Sequence, residues 1–302
     1  MHRFPDKAVV EAILGICQYG ARIGYHSQRS SITIHPNLAT TEEDPKLVTE
    51  EIETELQKNR LVTYQDPLEL PPHYTASPLG LTDKADGTKR RIHHLSYPPG
   101  DTSAINNGIP EEYGTLRYST RDEAVRAIQE YGKDSLLVKR DFESAFRHIP
   151  VSPLDSPLLG LKWDGKYYAE CFLPFGLRTA PYLFNLFAEV FHWILEDQLN
   201  HQNLQATVIH YLNDFLIVIP RGGSAKKYSE VFTRLCAEVG LAIKLSKNEE
   251  GLVASFGGVE LDTQTMVIRL PEKKLRKARE IILATCKKKS LSLLELQKSQ
   301  AF

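Results

Sequence analysis

The chain has 302 residues, 42% hydrophobic and 25% charged, with a formal net charge of −1. That profile excludes a low-complexity disordered chain and fits one large domain or several subdomains around a sizeable core. A near-zero net charge also means that any polyanionic partner must be met by a local basic groove, because the chain as a whole supplies no excess of cations.

No run of about 18 apolar residues occurs, which excludes a helical membrane span. Glu11 interrupts the apolar start and no secretory cleavage site follows, so an intracellular chain, cytoplasmic or nuclear, is expected. Cys17, Cys171, Cys236 and Cys286 have no paired spacing. They predict buried thiols in a reducing compartment, not a zinc motif or a disulfide framework.

Pro5 to Tyr19 reads as a helix with Val9, Val10, Ile13, Leu14 and Cys17 on one face and Gly20 to end it. Ser27 to Thr41, polar and containing Pro36, reads as loop. Asp44–Pro45 opens an acidic helix with Val48, Ile52 and Leu56 inward; Glu50, Glu51, Glu53 and Glu55 read as its solvated face. Gln65 to Pro78 holds four prolines and is expected to be an extended connector. In Leu79 to Tyr97, the cations Lys84, Lys89, Arg90 and Arg91 surround an Asp86–Gly87 turn. They form either an exposed basic hairpin or a triphosphate site, since phosphate recognition wants clustered Lys and Arg.

Thr120 to Tyr131 is predicted to be a short helix with Ala124, Val125 and Ile128 inward. Ser135 to Val138 is a strand with Asp141 near its end. Leu158–Lys162 and Tyr167–Phe172 form a hairpin around Trp163–Lys166. LPFGLRTAP, Leu173 to Pro181, leads into a helix from Tyr182 to about Leu199, with Leu183, Phe184, Phe187, Val190, Phe191 and Ile194 as core. Gly176 allows backbone to come close to a ligand.

Val208 to Ile219 reads as a hairpin buried on both faces, with Leu212, Asn213 and Asp214 between its two apolar runs. Its acidic tip is either a metal-holding carboxylate or a turn using Asn-Asp for its backbone angles. Asp141 and Asp214, brought together from separate strands, could hold a pair of Mg²⁺ ions, the usual machinery for in-line displacement at phosphorus.

Ser229 to Val239 is a helix capped by Gly240, and Lys247 follows in a loop. Ser255–Leu261 and Met266–Leu270 read as a hairpin around Asp262–Thr265. Pro271 suits the first position of a helix from Glu272 to Lys287, with Leu275, Ala278, Ile282 and Thr285 inward and Lys273, Lys274, Arg276, Lys277 and Arg279 elsewhere. Ser292 to Glu295 is a capping box that opens another helix.

Five blocks occur in one order between about Ser77 and Leu270: SPLGLTDKADGTKRRIHHLSYP, RDFESAFRHIPV, LPFGLRTAPYLFNLF, YLNDF and FGGVELD. In these the chain resembles the reverse transcriptase domain of a retrotransposon, of the gypsy-like or tyrosine-recombinase type. The resemblance implies an α+β right-hand polymerase, with an antiparallel palm sheet backed by helices. An N-terminal helical extension would cover 1–65, fingers 66–99 and 150–173, palm 100–149 and 174–270, and a truncated thumb 271–302.

It also implies roles. Asp141, Asp214 and the backbone carbonyl of Phe142 would hold two Mg²⁺ ions. Lys84, Arg91 and Lys247 would lie near the phosphates of a deoxynucleoside triphosphate. Phe146 would be the steric gate against a ribose 2′-hydroxyl. Phe175 and Gly176 would shape the nucleotide and template pocket. Phe256, Gly257 and Gly258 would form the primer grip, and Lys273 and Lys277 would face the duplex backbone. The partners would be an RNA or DNA template with its primer, with no membrane.

Two departures stand out. The family's hairpin carries two successive aspartates, and here the first is Asn213; a bulky aliphatic residue is usual where Gly257 stands. Three functions therefore remain open: template-directed DNA synthesis impaired by Asn213, an inactive relic that only binds nucleic acid, and a polymerase fold reused as a protein-interaction module.

Overall fold

The computed structural model describes residues 4, 6–29, 31–84, 87–101, 103–116, 121–286 and 290. The expected Asp86 turn position, the Thr120 helix start, the Lys287 helix end and the Ser292–Glu295 capping box lie outside them. The chain divides into two units, Met1–Arg117 with Glu143–Ile194, and Tyr118–Phe142 with Leu195–Phe302.

The first unit opens with α1 (Lys7–Tyr19). The Asp6 carboxylate accepts from the N–H groups of Ala8 and Val9, and Gly20 ends the helix. The expected apolar face is not the buried one: only Ile16 is buried, while Leu14 and Cys17 are exposed. Val9, Val10 and Ile13 of that face are half-buried. Cys286 is exposed too, and Cys236 alone of the four is buried.

The stretch read as loop carries a short strand, β1 (Thr33–Ile34), and a 3₁₀ turn at Ala39–Glu43. α2 (Pro45–Gln57) has Pro45 in its first turn and the Asp44 side chain on the Leu47 N–H. Val48 and Ile52 pack with Leu61, Leu79, Leu81, Leu161 and Tyr168. β2 (Leu61–Tyr64), β3 (Thr75–Ala76), β4 (Leu79–Asp83) and β5 (Lys89–His93) follow. The connector is thus interrupted by β3, which pairs in parallel with β1.

The chain then gives α3 (Arg121–Tyr131) and β6 (Leu136–Asp141) to the second unit and β7 (Gly160–Trp163) and β8 (Lys166–Glu170) to the first. The first unit's main sheet runs β1-β3-β7-β8-β2, with β4–β5 a separate hairpin. Asp155 is a buried anchor of this unit. Its carboxylate takes Arg22 Nε at 2.8 Å, the Ile23 N–H at 2.9 Å and Arg29 Nη2 at 2.5 Å.

α4 (Ala180–His201) contributes residues to both units. Leu183, Phe184 and Phe191 are buried as expected; Phe187, Val190 and Ile194 are only half-buried. β9 (Thr207–Tyr211), β10 (Asp214–Ile219), α5 (Ala225–Val239), β11 (Glu249–Gly251), β12 (Val253–Phe256), β13 (Val259–Asp262), β14 (Val267–Arg269) and α6 (Glu272–Cys286) complete the second unit. Its central sheet is antiparallel, in the order β11-β6-β10-β9. One face packs Leu137, Leu216 and Val218 with α3 and the β12–β13 hairpin. On the other face Phe215 meets Phe232 of α5.

Two expectations fail here. Ser255–Leu261 is no single strand: the chain turns at Gly257–Gly258, so β12, β13 and β14 form a three-stranded meander. And α6 has no buried residue; Leu275 and Ile282 are exposed. Among the described residues, no helix is long and apolar enough to cross a membrane.

Candidate active site

β9 and β10 are joined by only two residues, Leu212 and Asn213. Asn and Asp were expected to take the unusual turn angles; instead Leu212 does, at φ 54°. A side chain with no glycine-like freedom is therefore held in the left-handed region at this tip. Asn213 lends its backbone carbonyl to the Phe142 N–H at 3.1 Å, and the Lys244 N–H donates to Asp141 O at 2.8 Å. The first bond extends the β6–β10 pairing past the strand ends, and the second ties the end of β6 to the segment that follows α5.

The register puts Asp214 directly opposite Asp141. The Asp141 carboxylate is buried; Asp214 is part-exposed, but its Oδ1 is buried without a hydrogen bond. Burial and the neighbouring Asp141 carboxyl push Asp214 up to about 6, against the pull of Lys139 and Lys247. Lys247 Nζ lies 2.7 Å from Asp141 Oδ2. Lys139, two residues before Asp141 and so on the same strand face, lies 3.9 Å from Asp214 Oδ1 and 3.2 Å from Glu249 Oε1. Lys139 and Glu249 were missed, although strand alternation could have placed Lys139.

The ring of Phe142 turns away into the core, 5.2 Å from Phe215 and 5.8 Å from Phe232 between centroids. Only its backbone can serve the carboxylates. Asp141 and Asp214, side by side with a buried oxygen that takes no hydrogen bond, fit one divalent ion bound through oxygen. A third carboxylate is lacking: no group of three or more His, Cys, Asp or Glu that could hold a metal occurs among the described residues.

The first unit holds a cavity of about 700 Å³ lined in part by Lys84, Arg90, Arg91, Phe175 and Gly176. Gly176, at φ 94°, faces the His93 carbonyl, which a Cβ would meet at 3.0 Å. Phe146 packs its ring 5.4 Å from Phe175 and 6.0 Å from Phe184.

The glutamates read as a solvated face divide here. Glu50 and Glu53 are exposed, but Glu51 and Glu55 line the cavity. Arg147 Nε donates to Glu55 at 2.9 Å, and its Nη1 lies 2.7 Å from Glu170 Oε2. Burial pulls Glu55 up, but the charge and hydrogen bonds of Arg147, with Arg60 and Arg91, leave it below the usual carboxylate range. Burial and the charge of Arg91 push His93 down to about 3, so its ring is neutral and its Nε2 donates to Gly160 O at 3.0 Å.

Phe256 is buried while Gly257 and Gly258 form the exposed β12–β13 turn, at φ 55° and 82°. A Cβ on Gly257 would meet Arg121 Cγ at 2.7 Å, and its positive φ is one that bulky side chains rarely adopt. Lys274 Nζ donates to Gly258 O at 2.9 Å, tying α6 to this turn, and Lys273 and Lys277 are exposed on the same helix.

A family model described as reverse transcriptase (RNA-dependent DNA polymerase) matches residues 106–281, more than half of the chain. The chain belongs to this family. Among proteins similar to this chain are Protein P of duck hepatitis B virus (strain China) and of heron hepatitis B virus. The first is 23% identical over 147 residues, 48% of this chain and 18% of that protein. The second is 26% identical over 136 residues, 43% and 16% respectively.

Among solved structures, the foamy viral protease-reverse transcriptase in complex with RNA/DNA hybrid matches with TM-score 0.64 and 18% identity, over 94% of this chain and 34% of that one. A second foamy viral structure, in complex with double-stranded DNA, matches with TM-score 0.63 and 19% identity, over 97% and 47%. The chain thus spans less than a fifth of the length of those viral proteins and under half of these foamy viral chains. The antiparallel sheets backed by helices are the fold of the reverse transcriptases.

Proposed function

We propose that this chain is the polymerase domain of a retroelement, building DNA on an RNA or DNA template by metal-assisted nucleotidyl transfer, and that Asn213 impairs it. The observation that carries this reading is the register pair Asp141–Asp214 with its buried oxygen that takes no hydrogen bond. Those two carboxylates and the Phe142 carbonyl would hold Mg²⁺. Bound there, the metal would supply a lowered pKa for a primer 3′-hydroxyl and bracing for the triphosphate whose α-phosphate that hydroxyl attacks.

The chain's own residues do the rest. Lys84 and Arg91 offer charge to the triphosphate. Phe146, wedged between Phe175 and Phe184, is a ring in fixed position to exclude a ribose 2′-hydroxyl. Lys273 and Lys277 would follow duplex phosphates from α6, the opening of a thumb. Two carboxylates balance one divalent ion. Asn213 keeps the shape of aspartate and a carbonyl oxygen but loses the negative charge a second ion needs. Losing electrostatic support of this kind typically costs about 3 kcal/mol, around a hundredfold in rate.

That same substitution favours a second reading, a relic that binds nucleic acid without copying it. Primer extension with Mg²⁺ by the wild type and Asn213→Asp separates the two. We expect slow synthesis by the wild type and synthesis about a hundredfold faster by the variant. Robust wild-type synthesis removes the impairment; silence from both leaves the binding-only relic.

A further inference from the structure

The Arg91 side chain is nine-tenths buried in the cavity wall, yet its Nε and Nη1 make no hydrogen bond. Buried guanidinium donors left open in this way are a receptor for an anion. The nearest anion belongs to the protein itself. Glu51 of α2 brings Oε2 to 3.7 Å from Arg91 Nε, and spends that oxygen on the Arg91 backbone N–H at 3.2 Å. It approaches the guanidinium without satisfying it. The deeper cation, Arg147, is taken by Glu55 and Glu170. Of the cavity's carboxylates, Glu55 and Glu170 are paired with Arg147, with Glu55 also feeling the charge of Arg91, and Glu51 is the one in contact with the Arg91 guanidinium.

We propose that Glu51 is a resident counter-anion at Arg91, a specificity-determining residue that an incoming phosphate must displace or outweigh. The proposal rests on reading this cavity as the triphosphate pocket. An anion bound to Nε and Nη1 lands beside the Glu51 carboxylate, and like charges at that range in a half-buried site repel strongly. Only a ligand with several negative charges, able to draw on Lys84 and Arg90 as well, overcomes that repulsion. The Glu51 side chain is one-third exposed, so it has solvent to turn into when displaced.

The test is the affinity of the purified protein for inorganic tripolyphosphate, measured by calorimetry without metal or nucleic acid. Glu51→Gln keeps the carbonyl oxygen that serves the Arg91 N–H and removes the charge. It should bind about tenfold tighter than the wild type. Glu50→Gln, on the exposed side of the same helix, should leave affinity unchanged, and Arg91→Gln should abolish the gain when combined with Glu51→Gln. Equal or weaker binding by Glu51→Gln, or no binding by either protein, overturns the proposal; weaker binding would make Glu51 an orienting partner of Arg91. Primer extension is read separately. A tightened variant with no polymerase activity would sink the polymerase reading and leave the counter-anion standing; an active polymerase whose Glu51→Gln variant binds no tighter would do the reverse.

Discussion

Asp214 faces Asp141 across the β6–β10 ladder, and its carboxyl is pushed up to about 6, largely by burial. An acid raised above its unfolded value stabilises the fold below about pH 4, and that contribution is lost as pH rises through 6. At pH 7 without metal, the charged Asp214 is therefore a local cost. Asp214→Asn should stabilise the metal-free protein at pH 7 by about 1–2 kcal/mol, allowing for its partial exposure, and by nothing at pH 4. Mg²⁺ should raise the melting temperature of the wild type and leave the variant unmoved. Melting curves in chelator and in Mg²⁺ check this; a variant that melts lower at pH 7 would contradict it.

Arg147 holds together the acidic floor of the first unit's cavity. Arg147→Met strips the buried Glu170 of its arginine and leaves the part-buried Glu55 with its longer pair to Arg60 at 3.4 Å, and should cost about 3 kcal/mol at neutral pH. Glu55 is held below its usual range, so its contribution is present above about pH 4 and is lost as pH falls through its folded value. The deficit of the variant should accordingly shrink in acid. Urea midpoints at pH 7 and pH 4 give the comparison, and an equal deficit at both would show that packing, not charge, is what Arg147 supplies.

Phe146 presents a ring pinned between Phe175 and Phe184. In an Asn213→Asp background, Phe146→Val should loosen discrimination against ribonucleotides by about tenfold, because the space a 2′-hydroxyl would need is no longer filled. Ribo- and deoxynucleotide incorporation measured side by side gives the ratio. An unchanged ratio would make Phe146 ordinary core.

Local signals in the chain were read correctly where they were strong. The apolar runs of Val208–Ile219 gave a hairpin with both faces buried, and Asp141 fell at a strand end beside Asp214. The long-range pairs were not legible. Glu51 and Arg91 are 40 residues apart and Glu55 and Arg147 are 92 apart, and nothing in an acidic helix says which carboxylates will meet arginines. The two-residue strands β1 and β3 are too short for any alternation to show. The Gly257–Gly258 turn was legible and missed, since consecutive glycines mark a turn. Leu212 carried no signal at all: its backbone is forced by the ladder on either side, not by its own preference.

The Asp155 anchor decides where this chain can be cut. A fragment trimmed to the matched segment 106–281 would keep Asp155 but discard Arg22, Ile23 and Arg29. It would remove both guanidiniums and the backbone N–H that balance this carboxylate in the intact chain, where 1% of its side chain is exposed, and a buried pair broken in this way is strongly destabilising. The residues ahead of the recognisable motifs are thus not a detachable arm, and a working expression boundary belongs before α1.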